Sequence, residues 1–128
     1  MRLADFEGRW RLERVIEDRL GGPARFSGEA AFVPDGIGLV YEERGWLDAP
    51  AGRFQAERRY LWREDGQGIV VCFDDGRFFH RIGAEAAHWC EADDYRVRYD
   101  FSGWPVWRAV WRVTGPRKDY LMDSVYRR

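Results

Sequence analysis

The chain has 128 residues, 45% of them apolar and 16% aromatic, a composition that supports a folded core and excludes a disordered chain. Its 21 basic and 22 acidic residues are spread along the sequence and leave a net charge of −1, with no basic stripe for a nucleic acid. No apolar run approaches the roughly 20 residues that span a bilayer, and the N-terminal sequence lacks the hydrophobic segment of a signal peptide. We therefore expect residues 1–128 to form one cytoplasmic domain without a nucleic-acid or membrane partner.

Apolar and polar residues alternate with a period of two along almost the whole chain, a pattern typical of β-strands with one buried face. Turn residues interrupt this pattern about every 8 to 12 residues, as in all-β proteins. A short helical turn is predicted over residues 3–7. Ten strands are predicted, near residues 9–17, 26–33, 37–47, 53–63, 68–74, 77–82, 87–92, 95–101, 106–114 and 119–127.

Turn signals between the strands predict how neighbouring strands pair. Asp-Gly pairs at residues 35–36, 65–66 and 75–76 favour two-residue hairpins, Asp93-Asp94 is a weaker signal, and residues 115–118 form the last turn. The predicted pairs are Phe32 with Leu39, Arg58 with Phe73, Trp62 with Ile69, Val71 with His80, Phe73 with Phe78, Cys90 with Val97, His88 with Tyr99, Val113 with Tyr120 and Trp107 with Tyr126. Every predicted hairpin brings large apolar residues together on one face.

A meander of ten strands has to cover its apolar face, and the sequence contains no amphipathic helix that could do so. Closure into a barrel buries this face and removes exposed strand edges. A barrel with this number of strands encloses more space than its side chains fill. The sequence therefore predicts an all-β protein, a single antiparallel up-and-down β-barrel of about ten strands with a cavity inside.

The start of the first strand, Gly8-Arg9-Trp10, resembles the Gly-x-Trp motif of the calycins, the superfamily of lipocalins and fatty-acid-binding proteins. In calycins an arginine near the end of the chain covers this tryptophan at the closed end of the barrel, and Arg127 and Arg128 are available here. Residues 73–80 and 115–120 look similar to a bacterial domain family of unknown function in that superfamily. The resemblance implies a calycin-like barrel with Trp10 at its closed end and implies no particular activity.

The predicted registers place polar side chains on the otherwise apolar inner face. These are Arg14, Glu43, Arg58, His80, His88, Cys90 and Ser124, with the hydroxyls of Tyr41, Tyr60, Tyr99 and Tyr126. Because an unpaired buried charge costs several kcal/mol, these groups need partners. One hypothesis is an internal network in which Glu43 binds one arginine and the tyrosines. The other is that the set receives an acidic or polar group of a small, partly apolar ligand.

On the second hypothesis, the ligand-binding residues are Arg58, Arg14, His80, His88, Tyr41, Tyr60, Tyr99 and Tyr126. Arg58 is the first candidate for the anchor, because Ala56 leaves space beside it while Tyr60 and Phe73 lower the local dielectric. Arg14 is the second candidate and lies nearer the closed end.

Three alternatives use the same residues. A small-molecule enzyme of isomerase or hydrolase type would use His80 or His88 for acid–base catalysis and Arg58 to stabilise an oxyanion. A haem-binding barrel would use one histidine as the iron ligand. A metal site would combine His88 and Cys90, two residues apart in a strand, with His80. No phosphate loop, nucleophile elbow or Cys-x-x-Cys pair occurs, so we assign no cofactor and no metal, and catalysis stays an open question.

Two further expectations concern the orientation of side chains. His80 and His88 both point inward only if an odd loop or a β-bulge lies between their strands. Strand parity places Phe79, Trp89, Val106 and Val110 on the outer surface, where an apolar patch would suit a homodimer contact.

Overall fold

The computed structural model describes residues 1–83, 86–90 and 92–128, and within these the side chains of Ala86 and Cys90 lie outside the description. A 3₁₀ turn over Leu3–Phe6 precedes the strands. The strands are β1 (Gly8–Asp18), β2 (Ala24–Pro34), β3 (Leu39–Ala49), β4 (Gly52–Asp65), β5 (Gly68–Phe73), β6 (Phe78–Arg81), β7 (Ala86–Cys90), β8 (Asp93–Asp100), β9 (Trp107–Gly115) and β10 (Lys118–Arg127).

The ten strands form one antiparallel sheet with the order β6-β5-β4-β3-β2-β1-β10-β9-β8-β7. Strands that follow one another in the chain are neighbours in this order, and β1 also pairs with β10, which rolls the meander into a barrel. No ladder joins the described residues of β6 and β7, the two ends of the order, but the rings of Phe79 and His88 lie 5.4 Å apart across this seam. The prediction of an all-β, up-and-down antiparallel barrel is therefore confirmed, with a barrel that is nearly closed.

Because successive strands run in opposite directions, β1, β3, β5, β7 and β9 all end at the same end of the barrel, which we call the mouth. The even-numbered strands end at the opposite, closed end, where the 3₁₀ turn before β1 also lies. Trp10 fills this closed end: it is 1% exposed, and its indole Nε1 donates a hydrogen bond to the Phe6 carbonyl at 2.9 Å.

A C-terminal arginine covers Trp10, as the calycin resemblance implied. The guanidinium of Arg128 lies 4.1 Å from the centroid of the Trp10 ring and donates hydrogen bonds to the carbonyl oxygens of Asp5 and Glu7. A cation above an indole face is attracted by the ring quadrupole, and its N–H groups here satisfy carbonyls next to the 3₁₀ turn. The end of the chain is thus fastened to its beginning.

The predicted register of the last hairpin is correct, with Val113 opposite Tyr120 and Trp107 opposite Tyr126. Two Asp-Gly hairpins are shifted by two residues: Phe32 pairs with Tyr41, and Trp62 pairs with Val71.

The cause of the shift is the position of the aspartate in each turn. Asp65 stands before the turn rather than in it, opposite Gly68, and its carboxylate accepts the backbone N–H of Gln67 at 2.8 Å. The carboxylate of Asp35 likewise accepts the backbone N–H of Ile37 at 3.3 Å. A shift of two residues leaves every side chain on the same face of the sheet. The prediction of which residues of these hairpins point inward is therefore correct despite the wrong register.

The register predicted from Asp93-Asp94 is also wrong. In the structure Cys90 lies opposite Asp93 and His88 opposite Tyr95, so neither pairs with the predicted Val97 or Tyr99. The displacement is an even number of residues, and the backbone of β7 therefore keeps its predicted facing.

A β-bulge changes the facing of residues at the start of β6. Val71 pairs with His80 as predicted, but the register shifts between Val71 and Cys72, so that Cys72 rather than Phe73 lies opposite Phe78. Phe79 consequently turns inward and is 4% exposed, while Phe78 is 56% exposed. The prediction of an outward Phe79 is wrong, because strand parity cannot anticipate an extra residue in the ladder.

The other three residues of the predicted outer patch are placed differently from Phe79. Trp89 and Val106 are exposed and Val110 is half-buried. A homodimer through this surface stays a prediction, without Phe79.

Candidate ligand site

The inner face of the barrel surrounds a cavity near the mouth. Seven of the eight side chains assigned to the site from sequence line it, namely Arg14, Tyr41, Arg58, Tyr60, His80, Tyr99 and Tyr126. The room for the centres of water molecules amounts to about 50 Å³, which is enough for a few waters. The cavity is therefore a narrow space between packed aromatic rings, and a haem-sized ring does not fit in it.

Arg14 and Glu43 form a buried ion pair in the wall of this cavity, with 6% and 3% of their surfaces exposed. The pair is bidentate: Nη1 of Arg14 lies 2.7 Å from Oε2 of Glu43, and Nη2 lies 3.0 Å from Oε1. The remaining Nε–H of Arg14 donates to Oγ of Ser124 at 2.7 Å. The first hypothesis, in which Glu43 binds one arginine, is correct for this part of the interior, and the arginine is Arg14.

Two tyrosines complete the network. The Tyr41 hydroxyl donates to Oε1 of Glu43 at 2.6 Å and lies 2.8 Å from the Tyr126 hydroxyl. Burial, followed by the nearby Tyr126 and Glu43, raises the pKa of Tyr41, and burial raises the pKa of Tyr126 to about 12. Both phenols are therefore neutral at pH 7 and act as hydrogen-bonding groups.

The two charges of the pair hold each other ionised. Burial alone favours the neutral form of Glu43, but hydrogen bonds and the charge of Arg14 outweigh it and lower the pKa of this carboxyl. The same interactions outweigh burial at Arg14 and raise the pKa of its guanidinium. Because both charges already have partners, Arg14 has no free donor pair to offer a ligand carboxylate.

Arg58 differs from Arg14 in exposure and in partners. It lies opposite Glu43 in the β3–β4 ladder, not opposite Phe73 as predicted, because β5 ends where Phe73 pairs with Tyr60. Its side chain lines the cavity but is exposed at the mouth. Within the described part of the chain its guanidinium makes no hydrogen bond and no ion pair, although its charge contributes to the lowered pKa of Glu43.

His80 lies deeper in the cavity and is 3% exposed. Its Nε2 is 2.9 Å from the Tyr99 hydroxyl, and its Nδ1 has no hydrogen-bond partner among the described residues. Burial, helped by the nearby His88, lowers the pKa of His80 to about 3. The imidazole is therefore neutral at pH 7 and only weakly basic, which suits a hydrogen-bonding group better than a general base.

His88 is half-buried and is not part of the cavity lining. Its ring centroid lies 6.3 Å from that of Phe73 and 5.4 Å from that of Phe79, across the seam between β7 and strands β5 and β6. Because His88 lies opposite Tyr95, which lines the cavity, both histidines lie on the inner side of the barrel. The metal hypothesis also required Cys90, whose side chain lies outside the described residues.

The cavity lining includes six aromatic residues that the sequence analysis did not assign to the site, namely Trp62, Phe79, Tyr95, Trp107, Trp111 and Tyr120. Strand parity contains the signal for five of them, since all except Phe79 lie on the predicted inner face of their strands. Phe79 is the exception, because the bulge that turns it inward has no sequence signal. Tyr95, Trp111 and Tyr120 are only half-buried and surround the mouth.

Among the described residues, no group of three or more His, Cys, Asp and Glu side chains is arranged to hold a metal ion. In the same part of the chain, no helix is long and apolar enough to cross a membrane.

A protein-family model described as a family of unknown function (DUF6314) matches residues 6–128. No curated protein sequence matches the chain. Among solved structures, the S-type phycobiliprotein lyase CPES from Guillardia theta has a TM-score of 0.61 at 9% sequence identity, with 98% of this chain and 90% of that chain covered. This likeness concerns the fold. The chain thus belongs to the DUF6314 family of unknown function and has a barrel fold similar to that of a phycobiliprotein lyase.

Proposed function

We propose that this protein binds a small, partly apolar molecule through an acidic group that Arg58 receives at the mouth of the barrel. The observation that carries the proposal is the contrast between the two inner arginines. Nε, Nη1 and Nη2 of Arg14 already donate to Ser124 and Glu43, whereas Arg58 has no hydrogen-bonded partner in the described part of the chain and is exposed beside the cavity. A guanidinium of this kind binds planar carboxylates in a bidentate manner.

The surroundings of Arg58 favour an apolar, aromatic body for this ligand. Tyr60, Tyr95, Trp111 and Tyr120 are half-buried around the mouth. Partly exposed aromatic walls beside one charged group are typical of small-molecule sites, in which the polar group fixes the orientation. The Trp10–Arg128 contact and the strand order also support a calycin-like barrel. The solved barrel with a similar fold belongs to a lyase, but the fold alone does not choose between binding and catalysis.

The proposal can be tested with biphenyl-4-carboxylate and its uncharged counterpart, biphenyl-4-carboxamide, by NMR titration. Arg58→Met should weaken carboxylate binding about 10- to 100-fold, the range for a hydrogen bond to a charged group, and leave the affinity for the amide unchanged. The matched control is Arg59→Met, the next residue in β4, whose Nη1 lies 3.4 Å from Oε1 of Glu42 on the outer surface. Equal carboxylate affinity in Arg58→Met and Arg59→Met would contradict the proposal.

A further inference from the structure

The size of the cavity limits what part of a ligand it can hold. An engineered protein cavity that takes benzene has a volume of about 150 Å³, and the cavity here offers about 50 Å³. A single aromatic ring is thus too large for it without movement of the walls. Any ligand with an apolar body has to place that body outside the cavity.

The surface beside Arg58 at the mouth is the end of the β3–β4 hairpin. Strand β4 continues to pair with β3 beyond Arg58, through Ala56 opposite Gly45 and Phe54 opposite Leu47. On its other side, β4 pairs with β5 only from Tyr60 onward, so residues 52–59 have no ladder partner on that side among the described residues. The hairpin end is therefore open towards the mouth.

The inner face of this hairpin end is apolar and continues the inner face of the barrel. Leu47 and Ala56 are half-buried and pack against the core, whereas Phe54 is 47% exposed. Strand alternation places Phe54, Ala56 and Arg58 on the same face. An apolar strip thus leads directly away from the charge of Arg58.

The outer face of the same hairpin end is built differently. The guanidinium of Arg53 lies 4.6 Å from the Trp46 ring, and Arg44 forms an ion pair with Glu57 at 3.3 Å. These four side chains have partners within the hairpin, and Trp46 is nearly as exposed as Phe54, at 40%. The two faces therefore provide one candidate contact residue and one matched control residue.

We propose, as an extension of the proposed function, that the ligand lies with its acid at Arg58 and its apolar body along the inner face of the β3–β4 hairpin, in contact with Phe54. Four residues of a strand span about 13 Å. The ligand is accordingly an elongated, rigid acid, such as one with two or more rings in line, and only a few of its atoms enter the cavity.

The experiment compares benzoate with biphenyl-4-carboxylate, which adds a second ring in line with the first. In the natural protein the second ring should increase affinity about tenfold. Phe54→Ser should remove this increase and leave the affinity for benzoate unchanged. Trp46→Ser, the control on the outer face, should leave both affinities as they are.

Each outcome distinguishes this inference from the function on which it rests. If the second ring still increases affinity in Phe54→Ser, the apolar body lies elsewhere and the inference fails, while the role of Arg58 stands. If benzoate binds Arg58→Met as well as the natural protein, the proposed function itself fails. Urea unfolding midpoints equal to that of the natural protein would show that the exposed substitutions have not altered the fold.

Discussion

At the scale of single residues, the inner face contains two kinds of charged group. Arg14 and Glu43 are buried and paired with each other, whereas Arg58 is exposed at the mouth. Arg14, Glu43, Tyr41, Tyr126 and Ser124 bond to one another inside the barrel wall. A pair of this kind is stabilising only as a pair, because either partner alone is a buried charge without compensation. The strength of the network is therefore best measured by removing its members singly and together.

Arg14→Met should lower the free energy of unfolding by about 3 to 5 kcal/mol, because the Glu43 carboxylate then lies buried without its partner. The double variant Arg14→Met with Glu43→Gln should recover much of this loss, since the remaining side chains are uncharged. Urea denaturation followed by tryptophan fluorescence measures the free energies of unfolding of Arg14→Met, Glu43→Gln and the double variant. Simple addition of the two single losses in the double variant would show that the residues do not act as a pair.

His80 should make the protein less stable in mild acid. Its pKa is lowered from 6.5 to about 3 in the folded protein, mainly by burial, so between these values the unfolded chain binds a proton that the folded chain does not. The contribution of His80 to the free energy of unfolding is therefore largest above pH 6.5. It decreases as the pH falls towards 3, by up to about 1.4 kcal/mol per pH unit.

The corresponding measurement is the free energy of unfolding of the natural protein and of His80→Gln between pH 5 and 6.5. The window lies above the usual range for carboxyl titration. We expect the natural protein to lose stability across it more steeply than His80→Gln. Parallel curves for the two proteins would mean that the histidine is readily protonated in the folded state.

At the scale of elements, the sequence predicted the strands well because alternation and turn residues are local signals. It predicted the registers of two Asp-Gly hairpins poorly because the function of an aspartate in a turn depends on which backbone N–H its carboxylate meets. Asp65 accepts the N–H of Gln67 from a position just before the turn. The bulge between Val71 and Cys72 has no local signal, and it alone reversed the facing of Phe79.

The contact between Arg128 and the N-terminal turn should contribute measurably to stability. Arg128→Ala removes a cation from the Trp10 face and two hydrogen bonds to carbonyl groups, so we expect a loss of about 1 to 2 kcal/mol. Arg127→Ala is the matched control, because Arg127 is exposed and pairs with Arg11 along β1. Equal urea midpoints for the two variants would show that the contact does not stabilise the closed end.

At the scale of the whole molecule, the up-and-down barrel is closed at one end and open at the other. The inner side chains that are accessible to a ligand therefore lie at the mouth. Much of the candidate site was predictable, because strand parity alone assigns a residue to the interior, and an error of two residues in register preserves it. The distinction between Arg14 and Arg58 was not predictable. It depends on which arginine reaches Glu43, here Arg14 from two strands away, and on where β5 ends, and both are consequences of tertiary structure.

The central claim, that Arg58 at the mouth receives an acidic small molecule, is tested most directly by native mass spectrometry of the protein purified from its own host. We expect the natural protein and Arg59→Met to carry the same small, acidic molecule, and Arg58→Met to have lost it while remaining folded. Equal occupancy of that molecule in Arg58→Met, or a natural protein that carries none, would contradict the claim.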